Sequence, residues 1–187
     1  MSISLKKICI AIFTVIVFCS FVLPGVYAQK PYENYTTIGD WTLGSAFSDL
    51  QPKFKNMKIE TEYYQIAYSG NVAFFDNNQY LHFHKGILEY VSVYQKGKGI
   101  KSKVVVGDTV KKVVEKLGNP LTQMKASESI YYSYGTDYTD PELTVEIKNG
   151  KVFSVQLEKF TEGFPDENRA VQYYLNKNKD KLVSQNE

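Results

Sequence analysis

The chain of 187 residues has few of the residues on which many catalytic and metal sites depend. Its two cysteines, Cys9 and Cys19, both lie in an N-terminal segment that we expect to be removed. The remaining chain then has no thiol, which excludes disulfide bonds, zinc–thiolate sites and cysteine nucleophiles. The sequence also has no P-loop, no dinucleotide-binding fingerprint and no Gly-x-Ser-x-Gly nucleophile elbow. The common signatures of nucleotide-binding proteins and serine hydrolases are therefore missing.

The first 28 residues have the pattern of a secretory signal peptide. Lys6 and Lys7 form a positive region, residues 8–23 form an apolar run, and residues 26–28 place small residues where signal peptidase reads them. We therefore expect cleavage near Ala28 and a secreted or cell-envelope-associated chain. The apolar run is short for a membrane span, so retention as an anchor is the less favoured alternative. We expect no stable membrane insertion after cleavage.

Charge of one sign is not in excess once this segment is removed. The whole chain has 22 Lys and Arg against 20 Asp and Glu, and the segment contains two of the lysines and no acidic residue. The remaining chain is therefore formally neutral, which gives no support to nucleic acid or an anionic membrane as its main partner. We expect a protein or a cell-wall component as the partner, and no nucleic acid.

The sequence contains two diverged copies of one pattern, offset by 63 residues near the start of each copy and by 64 near its end. Residues 44–57 read GSAFSDLQPKFKNM, and residues 107–120 read GDTVKKVVEKLGNP. In the second copy the apolar residues form one helical stripe, which Gly118 and Pro120 end. In the first copy Pro52 interrupts the stripe and should shorten or kink the helix. A tyrosine-rich strand and a hairpin are predicted to follow in each copy.

This pattern predicts an α+β fold of two tandem repeats, each a short helical segment packed on an antiparallel β-sheet, plus a C-terminal helix. We place the first repeat at 29–95, a lysine-rich connector at 96–103 and the second repeat at 104–160. The C-terminal helix and a frayed tail occupy 161–187. The lysines of the connector are expected to be a solvated loop, with contact to anionic wall polymers as the alternative.

The loops of the two predicted hairpins follow from the alternation of their strands. Asn149 and Gly150 are typical of a two-residue type I′ turn. A two-residue loop, however, would place the apolar residues of the two strands on opposite faces. We therefore predict a three-residue loop with a bulged glycine there, and the same arrangement at residues 84–86.

The second copy resembles a known protein family. It follows the order G-x-[ST]-x₃-V-x₃-[LF]-G-x-P, then a tyrosine-rich strand and a hairpin ending N-G-K-V, which is typical of the YjgB-like secreted proteins of Gram-positive bacteria. The matching residues are Gly107, Val113, Leu117, Gly118, Pro120, Asn149, Gly150 and Val152. The resemblance covers residues 38–158 and is weaker in the first copy, where Lys55 replaces the helix-ending glycine. It implies a domain of unknown function with repeats similar to the β-lactamase-inhibitor-protein-like fold, and it assigns no catalytic residue.

His82 and His84 are the only histidines, and they alternate along one predicted strand. Residues i and i+2 of a strand share a face, so both imidazoles could bind one metal ion. No third ligand is evident, although Glu62, Tyr80 and Glu89 are near in sequence. Two ligands do not make a site, so we favour projection of both rings to solvent, and we expect no metal and no cofactor.

The tyrosines are the strongest candidates for a binding site. In a sheet with helices on one face only, half of the strand tyrosines face outward and suit a protein or glycan partner. The candidate binding residues are Tyr63, Tyr64, Tyr68, Tyr131, Tyr132 and Tyr134. The alternative is that tyrosine serves only as a strand former. We therefore predict a secreted, non-enzymatic binding module that uses an aromatic-rich sheet surface.

The main alternative function is a cell-envelope hydrolase or a metal-binding protein. It would use His82 and His84 or a pair of carboxylates. Nothing in the spacing of the carboxylates singles out two of them, and solvated strand faces explain them better. The available residues are Glu60, Glu62, Glu89, Asp137, Asp140, Glu142 and Glu146.

Overall fold

A computed structural model of the chain describes residues 33–54, 56–60, 71–135 and 141–183. The predicted signal peptide and its cleavage site lie outside these residues. Within them, no helix combines the length and the apolar character needed to cross a membrane. The described residues form an α+β fold with one large, mainly antiparallel sheet and three short α-helices, the last of them near the C-terminus.

The main sheet contains nine strands. They are β3 (Lys58–Glu60), β4 (Asn71–Phe75), β5 (Gln79–His84), β6 (Ile87–Val93), β9 (Thr122–Ala126), β10 (Ser129–Tyr134), β11 (Glu142–Lys148), β12 (Lys151–Glu158) and β13 (Leu182–Val183). Their order is β13-β3-β4-β5-β6-β12-β11-β10-β9, so two four-stranded meanders meet through their last strands, β6 and β12. All neighbours are antiparallel except β13, which runs parallel to β3. The sheet is therefore continuous from one half of the chain to the other.

Two small hairpins precede the first two helices. They are formed by β1 (Thr37–Ile38) with β2 (Trp41–Thr42), and by β7 (Gly99–Ile100) with β8 (Val104–Val105). The predicted connector at 96–103 thus contains a strand.

The three helices are α1 (Phe47–Leu50), α2 (Val110–Leu117) and α3 (Pro165–Lys177). In α2 the hydroxyl of Thr109 accepts a hydrogen bond from the Lys112 amide at 3.3 Å, and Gly118 ends the helix with a φ of 83°. Helix α1 has only one turn, because the chain passes into a 3₁₀ turn over Gln51–Phe54 that contains Pro52. The predicted shortening of the first helix is confirmed.

Equivalent backbone hydrogen bonds join the start of the helix to the hairpin in both halves of the sheet. We call β3–β6 with α1 the first half and β9–β12 with α2 the second half. The matched bonds, donor first, are Gly44–Leu88 with Gly107–Val152, Phe47–Gly86 with Val110–Gly150, and Leu88–Ser45 with Val152–Asp108. Equivalent residues of the two halves are 63 or 64 positions apart, which are the offsets between the two copies of the sequence pattern. That the halves are copies of one repeated unit stays a prediction.

The hairpin loops differ from the prediction. Lys85–Gly86 and Asn149–Gly150 each form a two-residue loop, with positive φ at all four residues, as in a type I′ turn. A bulge in the return strand restores the alternation, because Glu89 and Phe153 are each left without a partner across the ladder. The predicted three-residue loops are wrong: the extra residue lies in the strand and not in the loop.

The core lies between the helices and one face of the sheet. In the first half it is an aromatic cluster, in which Phe54 stacks on Phe74 with ring centroids 4.6 Å apart. Phe47 and Phe83 complete the cluster, together with Tyr174 of α3. In the second half it is aliphatic, with buried residues that include Val113, Leu117, Leu143, Val145, Ile147 and Val155. The C-terminal helix therefore contributes to the core of the first half.

The chain after α3 returns to the sheet. A 3₁₀ turn over Lys179–Lys181 leads into β13, where Leu182 pairs with Ile59 of β3. The structure therefore departs from the expectation of a frayed tail as far as Val183. At the other end of α3, Glu167 accepts hydrogen bonds from the amide and the hydroxyl of Ser48 at 3.0 and 3.1 Å. Helix α3 is thus held against the first turn of α1.

Candidate functional site

The candidate site is the face of the main sheet that points away from the helices, which we call the outer face. Side chains alternate between the two faces along every strand. On β5, Leu81 and Phe83 are fully buried in the core, whereas Tyr80, His82 and His84 are partly exposed on the outer face. The same alternation holds for β10 and β11, where residues that face away from the core are mostly polar.

The strand register arranges the outer face into three rows that cross the sheet. One row contains Glu60, Ala73, His82, Tyr90, Glu158 and Glu142. The middle row contains Phe75, Tyr80, Ser92, Gln156, Thr144, Ser133 and Thr122. The third contains Ser154, Glu146, Tyr131 and Met124. Small hydroxyl and amide side chains therefore lie in the row between those of Tyr90 and Tyr131.

The tyrosines of this face are held in place by specific contacts. The Tyr80 hydroxyl donates to a carboxylate oxygen of Glu60 at 2.7 Å, and its ring meets the Tyr90 ring edge-on at a centroid distance of 6.0 Å. The Tyr131 hydroxyl donates to Glu146 at 3.3 Å. Burial, followed by the charge of Tyr94, raises the pKa of Tyr90 above its usual value. Tyr90 therefore presents a neutral hydroxyl at physiological pH.

Glu146 is a buried carboxylate at the centre of the second half of this face. Its oxygens accept hydrogen bonds from the hydroxyls of Ser129 at 2.7 Å and Ser154 at 2.9 Å, in addition to Tyr131. Since a buried charge is costly unless it is hydrogen-bonded, these three hydroxyls explain how the carboxylate is accommodated. In the sequence Glu146 is one of several carboxylates, and its spacing does not distinguish it from the others. The alternation of β11 was the one signal that placed it on the polar face.

The predicted binding tyrosines do not share one surface. Tyr131 lies on the outer face, whereas Tyr132 packs against the core and Tyr134 is only 6% exposed. The Tyr134 hydroxyl donates to the carbonyl of Gly118 at the end of α2, at 3.3 Å. Successive strand residues face opposite sides, which separates Tyr131 from its two partners. The other three candidates, Tyr63, Tyr64 and Tyr68, lie outside the described residues.

His82 and His84 share the outer face, as their spacing predicts. Nδ1 of His84 lies 2.7 Å from the amide oxygen of Asn71, so this ring nitrogen already has a partner. Burial lowers the pKa of His82, and nearby His84 lowers it further while Glu89 opposes the shift. Over the part of the chain that the structure describes, no three potential ligand residues come together as a metal site would require. The possible ligand Glu62 lies outside that part.

We expect acid to destabilise the fold partly through His82. Its pKa is lower in the folded chain than the 6.5 of an unfolded one, so below pH 6.5 the unfolded state binds a proton that the folded state resists. Stability should then fall as the pH drops from 7 to 5, with Glu89, His84 and Tyr90 as the titratable neighbours. Urea unfolding at pH 5, 6 and 7 should show a smaller loss for His82→Gln than for the unchanged chain. The same loss in both would contradict the assignment.

Comparison with known proteins reveals low similarity. No protein-family model and no curated protein matches the chain. A DUF4309 family protein, YjgB, from Bacillus subtilis is similar in structure, with 15% identity and a TM-score of 0.40, over 72% of this chain and 90% of that one. A cysteine-rich secretory protein from Staphylococcus aureus has 15% identity and a TM-score of 0.41, over 71% of this chain and 49% of its own.

An extracellular protein containing an SCP domain, from Bacillus anthracis, has 12% identity and a TM-score of 0.39, with 78% of this chain and 51% of that one covered. The chain thus spans about half the length of the last two proteins. Structural similarity at these levels of sequence identity and TM-score does not assign a function to the chain.

Proposed function

We propose that the chain is an exported, non-enzymatic binding module that holds a protein or cell-wall partner against the outer face of its sheet. The observation that supports the proposal is the set of Tyr80, Tyr90 and Tyr131, which are partly exposed and stand among short polar side chains. Tyrosine contributes a large contact area at a low cost in conformational entropy, and it is frequent at binding hot spots. Export is supported by the signal-peptide pattern of residues 6–28.

The arrangement of these tyrosines favours binding over simple strand formation. Hydrogen bonds to Glu60 and Glu146 fix two of the rings before any partner arrives. Because less side-chain freedom is then lost on association, such a surface is preorganised for binding. In the middle row Ser92 is buried, but Gln156, Thr144, Ser133 and Thr122 are at least partly exposed and add neutral donors and acceptors, which suits a partner that is polar without being strongly charged.

A hydrolase is the weaker alternative. Glu142 and Glu158 lie directly opposite each other at the end of their strands, and both residues are exposed. Partial burial of the Glu158 carboxyl group, followed by the charges of Glu142 and Glu89, raises the pKa of Glu158. A glycosidase needs two carboxylates that flank a bound substrate. The cleft of about 480 Å³ beside Trp41 contains one carboxylate residue, Asp40, in its described lining.

The proposal is tested by capture from culture-fluid and cell-wall fractions, with the chain from Gln29 onward as bait. We expect a partner that is retained by the unchanged bait and lost, by about tenfold or more in Kd, with Tyr90→Ala. Tyr173 is exposed on α3, so Tyr173→Ala is a matched control that removes a ring elsewhere. The Kd of the captured component is then measured for each bait by calorimetry.

Folding of the variant baits is checked by thermal unfolding. If Tyr90→Ala is unfolded, Gln156→Arg places a bulky charge on the same face without removing a ring. Failure to capture anything above the control would refute the proposal. So would a partner that binds Tyr90→Ala and Gln156→Arg as tightly as the unchanged chain.

A further inference from the structure

The end of the first hairpin is covered by the chain itself. After β12, Thr161 donates from its amide and hydroxyl to the Glu89 carboxylate at 2.7 and 3.0 Å, and the Phe164 amide donates to the Lys85 carbonyl at 3.1 Å. The start of α3 then lies so close to Gly86 that a Cβ there would fall 2.4 Å from Glu167 Cβ. We call residues 159–167 the covering segment.

Among the residues that the structure describes, none covers the equivalent place on the second hairpin. After β6 the chain turns away, and the Gly97 amide donates to the Val106 carbonyl at 3.0 Å to begin the β7–β8 hairpin. Gly150 corresponds to Gly86, yet it is exposed, and a Cβ on it would meet no atom of the described chain within 4 Å. Within the described residues, the end of the first hairpin is thus covered and the end of the second hairpin is not.

The residues at the open end of the second hairpin are exposed, whereas the corresponding residues of the first hairpin are buried. Lys151 is exposed where Ile87 is 3% exposed, and Phe153 is 46% exposed where Glu89 is buried under Thr161. These residues border a cleft of about 600 Å³, which we call the second-hairpin cleft. Its lining includes Tyr94, Lys96, Gly107, Lys148, Lys151 and Phe153.

Charge and shape indicate what the cleft accepts. Lys96 and Lys151 are exposed at its rim, and Lys148 lies beside them in an ion pair with Glu128 at 2.9 Å. The rings of Tyr94 and Phe153, 6.0 Å apart, supply an apolar surface. The covering segment has a composition that would suit such a site, because residues 159–167 contain two exposed phenylalanines, three acidic residues and one lysine. Charges of opposite sign at a rim favour association and fix its register.

We propose that the second-hairpin cleft binds an acidic, phenylalanine-containing peptide segment of a partner protein, with its carboxylates at the lysine rim and its ring against Tyr94 and Phe153. This interaction is separate from the one on the outer face, which uses Tyr80, Tyr90 and Tyr131. Variants of the two surfaces therefore distinguish failure of one proposal from failure of the other.

The test uses a synthetic peptide with the sequence of residues 160–168, which contains three acidic residues and no basic one, as the probe, and the ¹⁵N-labelled chain from Gln29 onward. We expect saturable amide shifts confined to residues 94–96, 106–107 and 148–153. Lys151→Glu should weaken binding about tenfold or more. Lys125→Glu, the same charge change on the exposed strand β9, should leave the affinity within about twofold.

The peptide itself has a matched control. A version with Glu162→Gln, Asp166→Asn and Glu167→Gln should bind more weakly, and more salt should weaken the unaltered peptide. No saturable shift at millimolar peptide would overturn the proposal, as would shifts located elsewhere on the chain. An equal loss with Lys125→Glu would show unspecific charge attraction and would also overturn it. Concentration-dependent self-association through the cleft would identify a second copy as the occupant and refute a foreign segment.

Discussion

Gly86→Ala is expected to destabilise the chain far more than Gly150→Ala, although the two glycines hold equivalent loop positions. Both have a left-handed backbone, with φ of 79° and 72°, so alanine costs each of them about 1 kcal/mol in backbone strain. Of these two glycines, Gly86 is the one at which an added Cβ would collide with the described chain, 2.5 Å from the Glu167 carbonyl carbon and 2.7 Å from its oxygen. Because these are backbone atoms, α3 must move, which adds about 1–3 kcal/mol.

Urea unfolding of the two variants measures this difference directly. The additional loss in Gly86→Ala should be accompanied by faster amide exchange in α3, since displacement of Glu167 also removes its hydrogen bonds to Ser48. Gly150→Ala is the matched control, with the same residue change at the same backbone geometry. Equal losses in the two variants would show that the contact between α3 and the first hairpin contributes no stability.

Phe54→Ala should cost about 3–5 kcal/mol in the free energy of unfolding. Phe54 is fully buried and central in the aromatic cluster, stacked on Phe74 and edge-on to Phe83 and Tyr174. Truncation leaves a cavity between rings from the sheet, α1 and α3, so surrounding side chains cannot close it without moving three elements. A chain of this size tolerates few changes of that magnitude.

The control for this substitution is Phe153→Ala, which removes the same ring from an exposed position. It should cost less than about 1 kcal/mol. Thermal and urea unfolding of both variants, at a pH where the unchanged chain unfolds reversibly, gives the comparison. A loss of less than about 1 kcal/mol for Phe54→Ala would mean that the cluster is loosely packed.

Local patterns predicted the elements that depend on neighbours in sequence. The apolar stripe with Gly118 and Pro120 at its end predicts α2, and Pro52 predicts the short α1. The hairpins were located correctly, but their loops were not, because apolar alternation shows that one extra residue is needed and not where it lies. Only the ladder shows that Glu89 and Phe153 carry the bulges.

The site was harder to predict because it depends on contacts between distant strands. A run such as Tyr131-Tyr132 places both residues on one strand, and only the register decides that Tyr131 faces outward. Tyr80 and Tyr90 lie beside Ser92 and Gln156 because β6 pairs with β12, which links residues more than 60 positions apart. The docking of the covering segment on Lys85 and Gly86 has no local signal at all, since its contacts are hydrogen bonds to backbone and packing against glycine.

The participation of Tyr174 and β13 in the first half has a consequence for the order in which the chain folds. A chain that emerges N-terminus first presents β3–β6 long before residue 174, the ring that completes their aromatic core. The second half, by contrast, draws α2 and its four strands from one continuous stretch. Contacts between residues distant in sequence form late, because closing long loops costs entropy. We therefore expect the first half, although synthesised first, to reach its final packing last, when Tyr174 and β13 have emerged.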